Sequence, residues 1–371
     1  MKKCLFVATV VKKHINVFHL PYLKMFQENG WETHVCARND FEEPEKCEIP
    51  YCNRHFDFPF ERNPLKKNNI KTFFLLRKLI LEEKYDVIHC HTPMAAVLCR
   101  LAAIKARKKL GTRVIYTAHG FHFYNGAPLV NWLFYYPMEW LCSFFTDTLI
   151  TINLEDYERA KKHFHAKETT YVPGVGVDTE KLFSMEIDRA EKRKELGLSE
   201  SEIAVLSVGE LNDNKNHETI LRAIGMLEDK PTYVICGTGP KAEPLSALAK
   251  ELGVKLILLG YRTDAQEICR TCDIFAFPSK REGLSVSLME AMAAGMPCIV
   301  SSIRGNTDLI KDGIGGFLYN TMDAAGFSEG LRILAANGAL RQKMGETNRE
   351  AVKKFDIKMV SAKMESIYVG I

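Results

Sequence analysis

The sequence predicts an α/β protein of two doubly wound, Rossmann-like domains, each built on a parallel sheet, facing each other across a cleft. Three observations carry this expectation. Short apolar, β-branched runs alternate with amphipathic segments along the whole chain, the pattern of a parallel sheet covered on both faces. The pattern halts at a stretch punctuated by proline and glycine, then starts afresh. The 371 residues exceed one ordinary domain and suit two of about 150–200 residues each.

In the first half the strand candidates are Cys4–Val10, Thr33–Ala37, Asp86–Cys90, Arg113–Ala118 and Asp147–Ile152. Amphipathic segments such as Leu20–Asn29 and Ile70–Glu83 separate them, and Gly30 is a natural stop for the first. Val172-Pro-Gly-Val-Gly-Val-Asp178 follows, and the domain boundary is set near 178, giving domains 1–178 and 179–356. After the charged helix Asp188–Leu196, strands are predicted at Ala204–Val208, Thr232–Cys236, Lys255–Leu259, Asp273–Phe277 and Pro297–Ser301. Helices Glu218–Glu228, Lys241–Leu252, Ala265–Cys272 and Leu288–Ala294 alternate with them. The last segment, 357–371, is expected to be a helix packing back on the first domain.

Apolar residues at 46% and charged residues at 26% have the balance of a globular enzyme. The net charge of +4 is unevenly spread: residues 1–175 hold 25 Lys and Arg against 18 Asp and Glu, the remainder 25 against 28. A basic first half suits an anionic acceptor or membrane surface, and equally a solvated face with no partner; no nucleic-acid partner is expected. No apolar run is long enough to span a membrane, Leu129–Ile152 being broken by Asn131, Pro137, Glu139 and Asp147. Eleven cysteines and no secretory signal predict reduced thiols and a cytoplasmic protein. No metal is expected: Cys269 and Cys272 lack a second pair, and the alternating His89 and His91 are not expected to meet one ion.

Ligands of doubly wound sheets collect beyond the carboxyl ends of the strands. After Asp273–Phe277 comes Pro278-Ser-Lys-Arg-Glu-Gly-Leu-Ser-Val-Ser-Leu-Met-Glu-Ala-Met-Ala-Ala-Gly-Met-Pro297. A helix starting near Ser285 would aim the amides of Gly283, Leu284 and Ser285 outward as an anion site. Glu282 stands just outside that end, where plain dipole complementation would also place a carboxylate. Glu290 lies in an apolar helical run, and a buried carboxylate needs a partner such as a ribose diol. After Ala204–Val208, Gly209 lets backbone approach a ligand and Lys215 is a point charge for a phosphate, although a lone lysine is ordinarily solvated. Gly237-Thr-Gly-Pro240 is a further glycine turn. In the first half His119 follows Arg113–Ala118, and Lys12, Lys13 and His14 follow the first strand. The absence of Gly-x-Gly-x-x-Gly there disfavours a nicotinamide site.

The stretch Pro278–Pro297, with Glu282 and Glu290 separated by seven residues, resembles the carboxylate motif of retaining family-4 glycosyltransferases of the GT-B fold. Gly209-Glu-Leu-Asn212 with Lys215, Gly237–Pro240, Leu258-Leu-Gly-Tyr261, Val172–Asp178, Asp86–His91 and His119-Gly120 follow in the family's order. The wording of the His119–Phe123 and Gly209–His217 segments is similar to bacterial capsular and exopolysaccharide members. The resemblance implies transfer of a sugar from a nucleotide-diphosphate donor, UDP by expectation, to a lipid-linked saccharide. It assigns Glu290 to the donor ribose, Glu282 to the sugar hydroxyls, and Lys215 with the amides of Gly283, Leu284 and Ser285 to the diphosphate. His119 falls near the anomeric carbon, so His119 and Glu282 are the catalytic candidates. Gly209, Asn212, Gly237, Tyr261 and Arg281 complete the donor set; Lys12, Lys13 and His14 are the acceptor candidates. One departure is that Glu210 stands where many members have Arg, which leaves Arg281 or Lys280 to replace that cation. No cofactor is implied, the nucleotide-sugar being a substrate. Trp132, Phe134, Tyr135, Tyr136, Trp140, Phe144 and Phe145 are read either as a membrane-facing belt on the inner leaflet or as an aromatic core helix. The rival readings are a nucleotide-sugar epimerase, a non-catalytic nucleotide-sugar-binding protein, a glycosidase and a dinucleotide oxidoreductase.

Overall fold

A computed structural model describes residues 1–369. The chain forms two compact units, Met1–Val172 with the segment from Ser361 onward, and Pro173–Val360. The junction thus falls six residues before the boundary read from the sequence. Its cause is local: Val172 still donates to Thr151 in the first sheet, whereas Val177 donates to Phe355 and pairs with Asp356 in the second unit.

In the first unit, the strands are β1 (Lys3–Val10), β2 (Glu32–Arg38), β3 (Arg54–Phe56), β4 (Val87–His91), β5 (Arg113–Ala118), β6 (Thr148–Thr151) and β7 (Glu168–Tyr171). They form a parallel sheet in the order β3-β2-β1-β4-β5-β6-β7, with β1 beside both β2 and β4. Phe6, Val7, Ile88, Cys90, Val114 and Ile115 are fully buried, as strands covered on both faces require. The helix Pro93–Ala102 buries even Arg100, whose Nη2 donates to Glu139 over 2.8 Å and whose guanidinium lies 4.0 Å from the Tyr116 ring centroid. Tyr116 donates to the other oxygen of Glu139, so neither charge is left unmet. Tyr368, near the end of the chain, packs on Phe26 and bonds His89.

The second unit has β8 (Ala204–Val208), β9 (Thr232–Cys236), β10 (Leu256–Leu258), β11 (Ile274–Phe277), β12 (Cys298–Ser301) and β13 (Gly316–Tyr319). Its parallel order is β10-β9-β8-β11-β12-β13. Asp273, just before β11, anchors the start of the sheet by accepting from Arg189, Arg193 and the amide of Ala204. The edge strands Arg54–Phe56, Glu168–Tyr171 and Gly316–Tyr319 are additions to the elements read from the sequence. All eleven cysteines are free, and Cys269 and Cys272 are buried. Among the described residues no helix is long and apolar enough to cross a membrane.

Candidate active site

The site elements of the second unit sit at the carboxyl ends of its central strands. β8 runs into Gly209 and a turn that Asn212 closes by accepting from the amide of Lys215, 3.0 Å. Asn216 follows with φ of 57°, a left-handed conformation that asparagine tolerates. Its side-chain amide donates to the carbonyls of Pro278 and Thr321, fastening the turn to the end of β11. Lys215 is thereby held with its ammonium 4.7 Å from the Phe277 ring centroid and 2.7 Å from Oε1 of Glu282. A β-carbon at Gly209 would meet the lysine stem at 3.0 Å, and one at Gly237 would lie 1.8 Å from the Gly209 carbonyl oxygen. These close approaches are what the two glycines allow.

The helix Val286–Ala294 begins as the sequence predicts. Ser285 is its N-cap, accepting from the amide of Leu288, and is buried. Among the described residues the amides of Gly283, Leu284 and Ser285 have no protein acceptor, so they form a donor set at the positive end of the helix. Glu282 sits at that mouth, paired with Lys215. Glu290, on the second turn, accepts from Gln266 over 2.9 Å, and burial raises its carboxyl above the usual range. Arg281 is exposed, and its carbonyl accepts from Asn214. Tyr261, beyond β10, is 80% exposed. Asn212 also donates to the exposed Glu210, so both ends of its amide serve the turn.

Two contributors escaped sequence reasoning. Buried Arg304, after β12, donates to the carbonyl of Glu282 over 3.2 Å, placing a cation's side chain directly behind the helix mouth. Gln266, on Ala265–Thr271, orients Glu290. Both residue types are ordinarily solvated, and neither lies within fifteen residues of its partner, so no local pattern marks them.

In the first unit, β1 ends in a π-helical turn, Val11–Ile15. Lys12 and Lys13 are exposed, with their backbone amides on the carboxylate of Asp40 at 2.6 and 3.3 Å. His14 turns inward, its ring centroid 5.0 Å from that of His119, which follows β5. Burial lowers His119 to about 4, and holds His14, His19 and His91 well below the ordinary imidazole range. His89 and His91 share one face of β4, ring centroids 4.0 Å apart, as a two-residue repeat demands. Both nitrogens of His89 are taken by Tyr368 and Thr117.

Family models match both parts of the chain: glycosyltransferase family 4 over residues 22–181 and glycosyl transferases group 1 over residues 188–351. The chain is 38% identical to the putative glycosyltransferase EpsD of Bacillus subtilis, over 99% of this chain and 96% of the relative. It is 30% identical to the UDP-Gal:α-D-GlcNAc-diphosphoundecaprenol α-1,3-galactosyltransferase of Escherichia coli, over 83% and 81% of the two chains. Anabaena HepE in complex with UDP has the same fold, with a TM-score of 0.81 at 17% identity and full coverage of both chains. Glu282 at the helix mouth, Glu290 on its second turn and the relationship along the whole chain agree: this protein belongs to family 4 of the glycosyltransferases, with the GT-B fold.

Proposed function

We propose that the chain transfers a sugar, with retention of anomeric configuration, from a UDP-sugar to a lipid-linked saccharide in surface-polysaccharide synthesis. The observation that carries this is the Lys215–Glu282 pair at the open amides before Val286–Ala294. A diphosphate on those amides would take Lys215 as its counter-charge, and the negative charge that builds as the anomeric bond breaks would meet donors already in position. This arrangement needs no metal at the diphosphate. Glu290 would accept from the ribose diol and Glu282 from the sugar hydroxyls. Retention follows if the acceptor attacks on the face that the leaving group departs, a phosphate oxygen taking its proton. The naming of the Escherichia coli relative for UDP-Gal and a diphosphoundecaprenol-linked acceptor, and the UDP held by HepE, support this choice of ligands.

The acceptor reading also assigns the protein to the inner face of the cytoplasmic membrane. The helix Leu129–Ser143 leaves Leu129, Leu133 and Phe134 between 65% and 74% exposed, with Trp140 and nearby Phe144 partly so. The basic helix Ile104–Leu110 adjoins its end, Arg107 donating to the carbonyl of Phe144. An exposed apolar face flanked by Lys105, Lys108 and Lys109 is what an anionic interface attracts.

Lys215→Ala and Glu290→Ala should each reduce kcat/KM by about 10–1,000-fold, or about 1.4–4 kcal/mol. The donor is first identified by thermal shift against a panel of nucleotide-sugars. Wild-type turnover in either variant would remove that residue from the site.

A further inference from the structure

Around the carboxyl ends of β1, β4 and β5 the first unit collects four histidines from four chain segments. His14 lies in the π-helical turn, His19 caps the helix Leu20–Glu28, His91 closes β4, and His119 follows β5. One ring nitrogen of each comes within 4.8 Å of those of the other three. His19 is 2% exposed and His91 1%, and neither nitrogen of either ring has a hydrogen-bond partner among the described residues. Nε2 of His14 and Nε2 of His119 are equally unmet.

Packing alone does not account for six such atoms in one place, because a buried polar atom without a partner costs on the order of 1–3 kcal/mol. Neighbouring His89 shows what a structural histidine looks like here: Tyr368 and Thr117 satisfy its two nitrogens at 2.6 and 2.8 Å. The arrangement of the four rings also fits a shared ligand. Two imidazoles on one tetrahedral ion, bound through nitrogen at about 2.0–2.1 Å, hold their centroids roughly 5 Å apart. Five of the six pairs stand at 5.0, 5.0, 5.7, 5.9 and 5.9 Å. The sixth, His19 with His91, stacks at 3.7 Å and would open on binding.

We infer that His14, His19, His91 and His119 together bind one divalent transition-metal ion of the zinc class. Four protein ligands make a closed, structural site, and imidazole is a ligand that zinc, copper and nickel accept. The ion would lock the π-helical turn carrying Lys12 and Lys13 against the ends of β4 and β5. It replaces the sequence expectations of no metal, of His119 beside the anomeric carbon and of His14 at the acceptor, since a closed site leaves neither ring for substrate, and it does not rest on the transfer reading.

The test uses the full chain without a histidine tag, stripped with chelator and dialysed against Zn2+. One equivalent of zinc per chain and a raised melting temperature are expected, and Co2+ should give the intense visible absorption of a tetrahedral site. The double variants H19Q/H91Q and H19A/H91A should lose all three signals. Substoichiometric zinc with an unmoved melting temperature in the wild type would overturn the inference, as would undiminished binding in a folded double variant. UDP binding by the same samples reports on the second unit, so failure of the metal site and failure of the transfer reading stay distinguishable.

Discussion

On the proposed reading, Lys215 and Glu282 serve different halves of the donor. The ammonium rests 2.7 Å from the carboxylate, and the side chains are 19% and 16% exposed. If Lys215 serves the diphosphate and Glu282 the sugar, their substitutions must sort by ligand. Lys215→Met removes one charge-assisted contact worth about 1.5–3 kcal/mol, so UDP and the UDP-sugar should both bind roughly 10–150-fold more weakly. Glu282→Gln should weaken the UDP-sugar about tenfold while leaving UDP unchanged or tighter, because Lys215 no longer shares its charge with a carboxylate. The double variant should show a coupling of about 0.5–3 kcal/mol for the UDP-sugar. Isothermal titration calorimetry with the two ligands measures each quantity. Equal losses of UDP and UDP-sugar in Glu282→Gln would refute the division of roles, since a carboxylate reserved for the sugar has nothing to do with UDP alone.

Three further outcomes follow from individual contacts. Gly237→Ala puts a β-carbon 1.8 Å from the Gly209 carbonyl oxygen, so β8 and β9 must part at their ends; the loss of about 3 kcal/mol should lower the melting temperature by about 6–12 °C in calorimetry. Asp147 is partly buried, which opposes ionisation, but bonds from Arg107, Lys167 and the amide of Val114 prevail and hold it at about 2. Its carboxylate therefore contributes stability above the unfolded value near 4 that disappears as pH falls to about 2; the deficit of Asp147→Asn in chemical denaturation should shrink over that window, and a pH-independent deficit would exclude the linkage. Phe134→Glu, on a side chain 71% exposed, should reduce flotation with anionic liposomes severalfold at unchanged melting temperature.

The central strands were legible because their residues are read from both faces. Arg113–Ala118, Ala204–Val208 and Thr232–Cys236 have the same bounds in sequence and structure. Arg54–Phe56, Glu168–Tyr171 and Gly316–Tyr319 were missed because they are short edge strands, defined by hydrogen bonds to one neighbour rather than by apolar pattern. At the site, the cap at Ser285 and the positions of Gly209 and Gly237 follow from local chemistry. The Lys215–Glu282 pair spans 67 residues, and nothing local announces it. The histidine cluster was hidden differently: His14, His91 and His119 were visible at strand ends, but only the sheet order β1-β4-β5 makes those ends neighbours, and His19, at the start of a helix, carried no signal of its own.

The distribution of unmet polar atoms points to the same ends of the sheets without reference to any family. Among the described residues, buried side-chain nitrogens and oxygens lacking a partner occur on His14, Asn16, His19, His91, His119, Thr151, Ser279 and Asn306, with Thr72 and Arg349 as exceptions elsewhere. The first eight lie at or just beyond the carboxyl ends of β1, β4, β5, β6, β11 and β12. At the opposite ends, the acids are fully engaged: Asp86 accepts from the amide of Lys3, Asp147 from Arg107 and Lys167, Asp273 from Arg189 and Arg193. Random imperfection in packing would scatter orphan atoms over both ends. Their concentration at one end, with two exceptions, is what ligand sites beyond the carboxyl ends of the strands would leave. In the second unit Glu290 accepts from Gln266 alone among the described residues, and burial raises its carboxyl above the usual range. A ligand offering hydroxyls would relieve it, so donor binding should depend on pH in the sense that raising pH through its elevated range strengthens binding while weakening the empty fold.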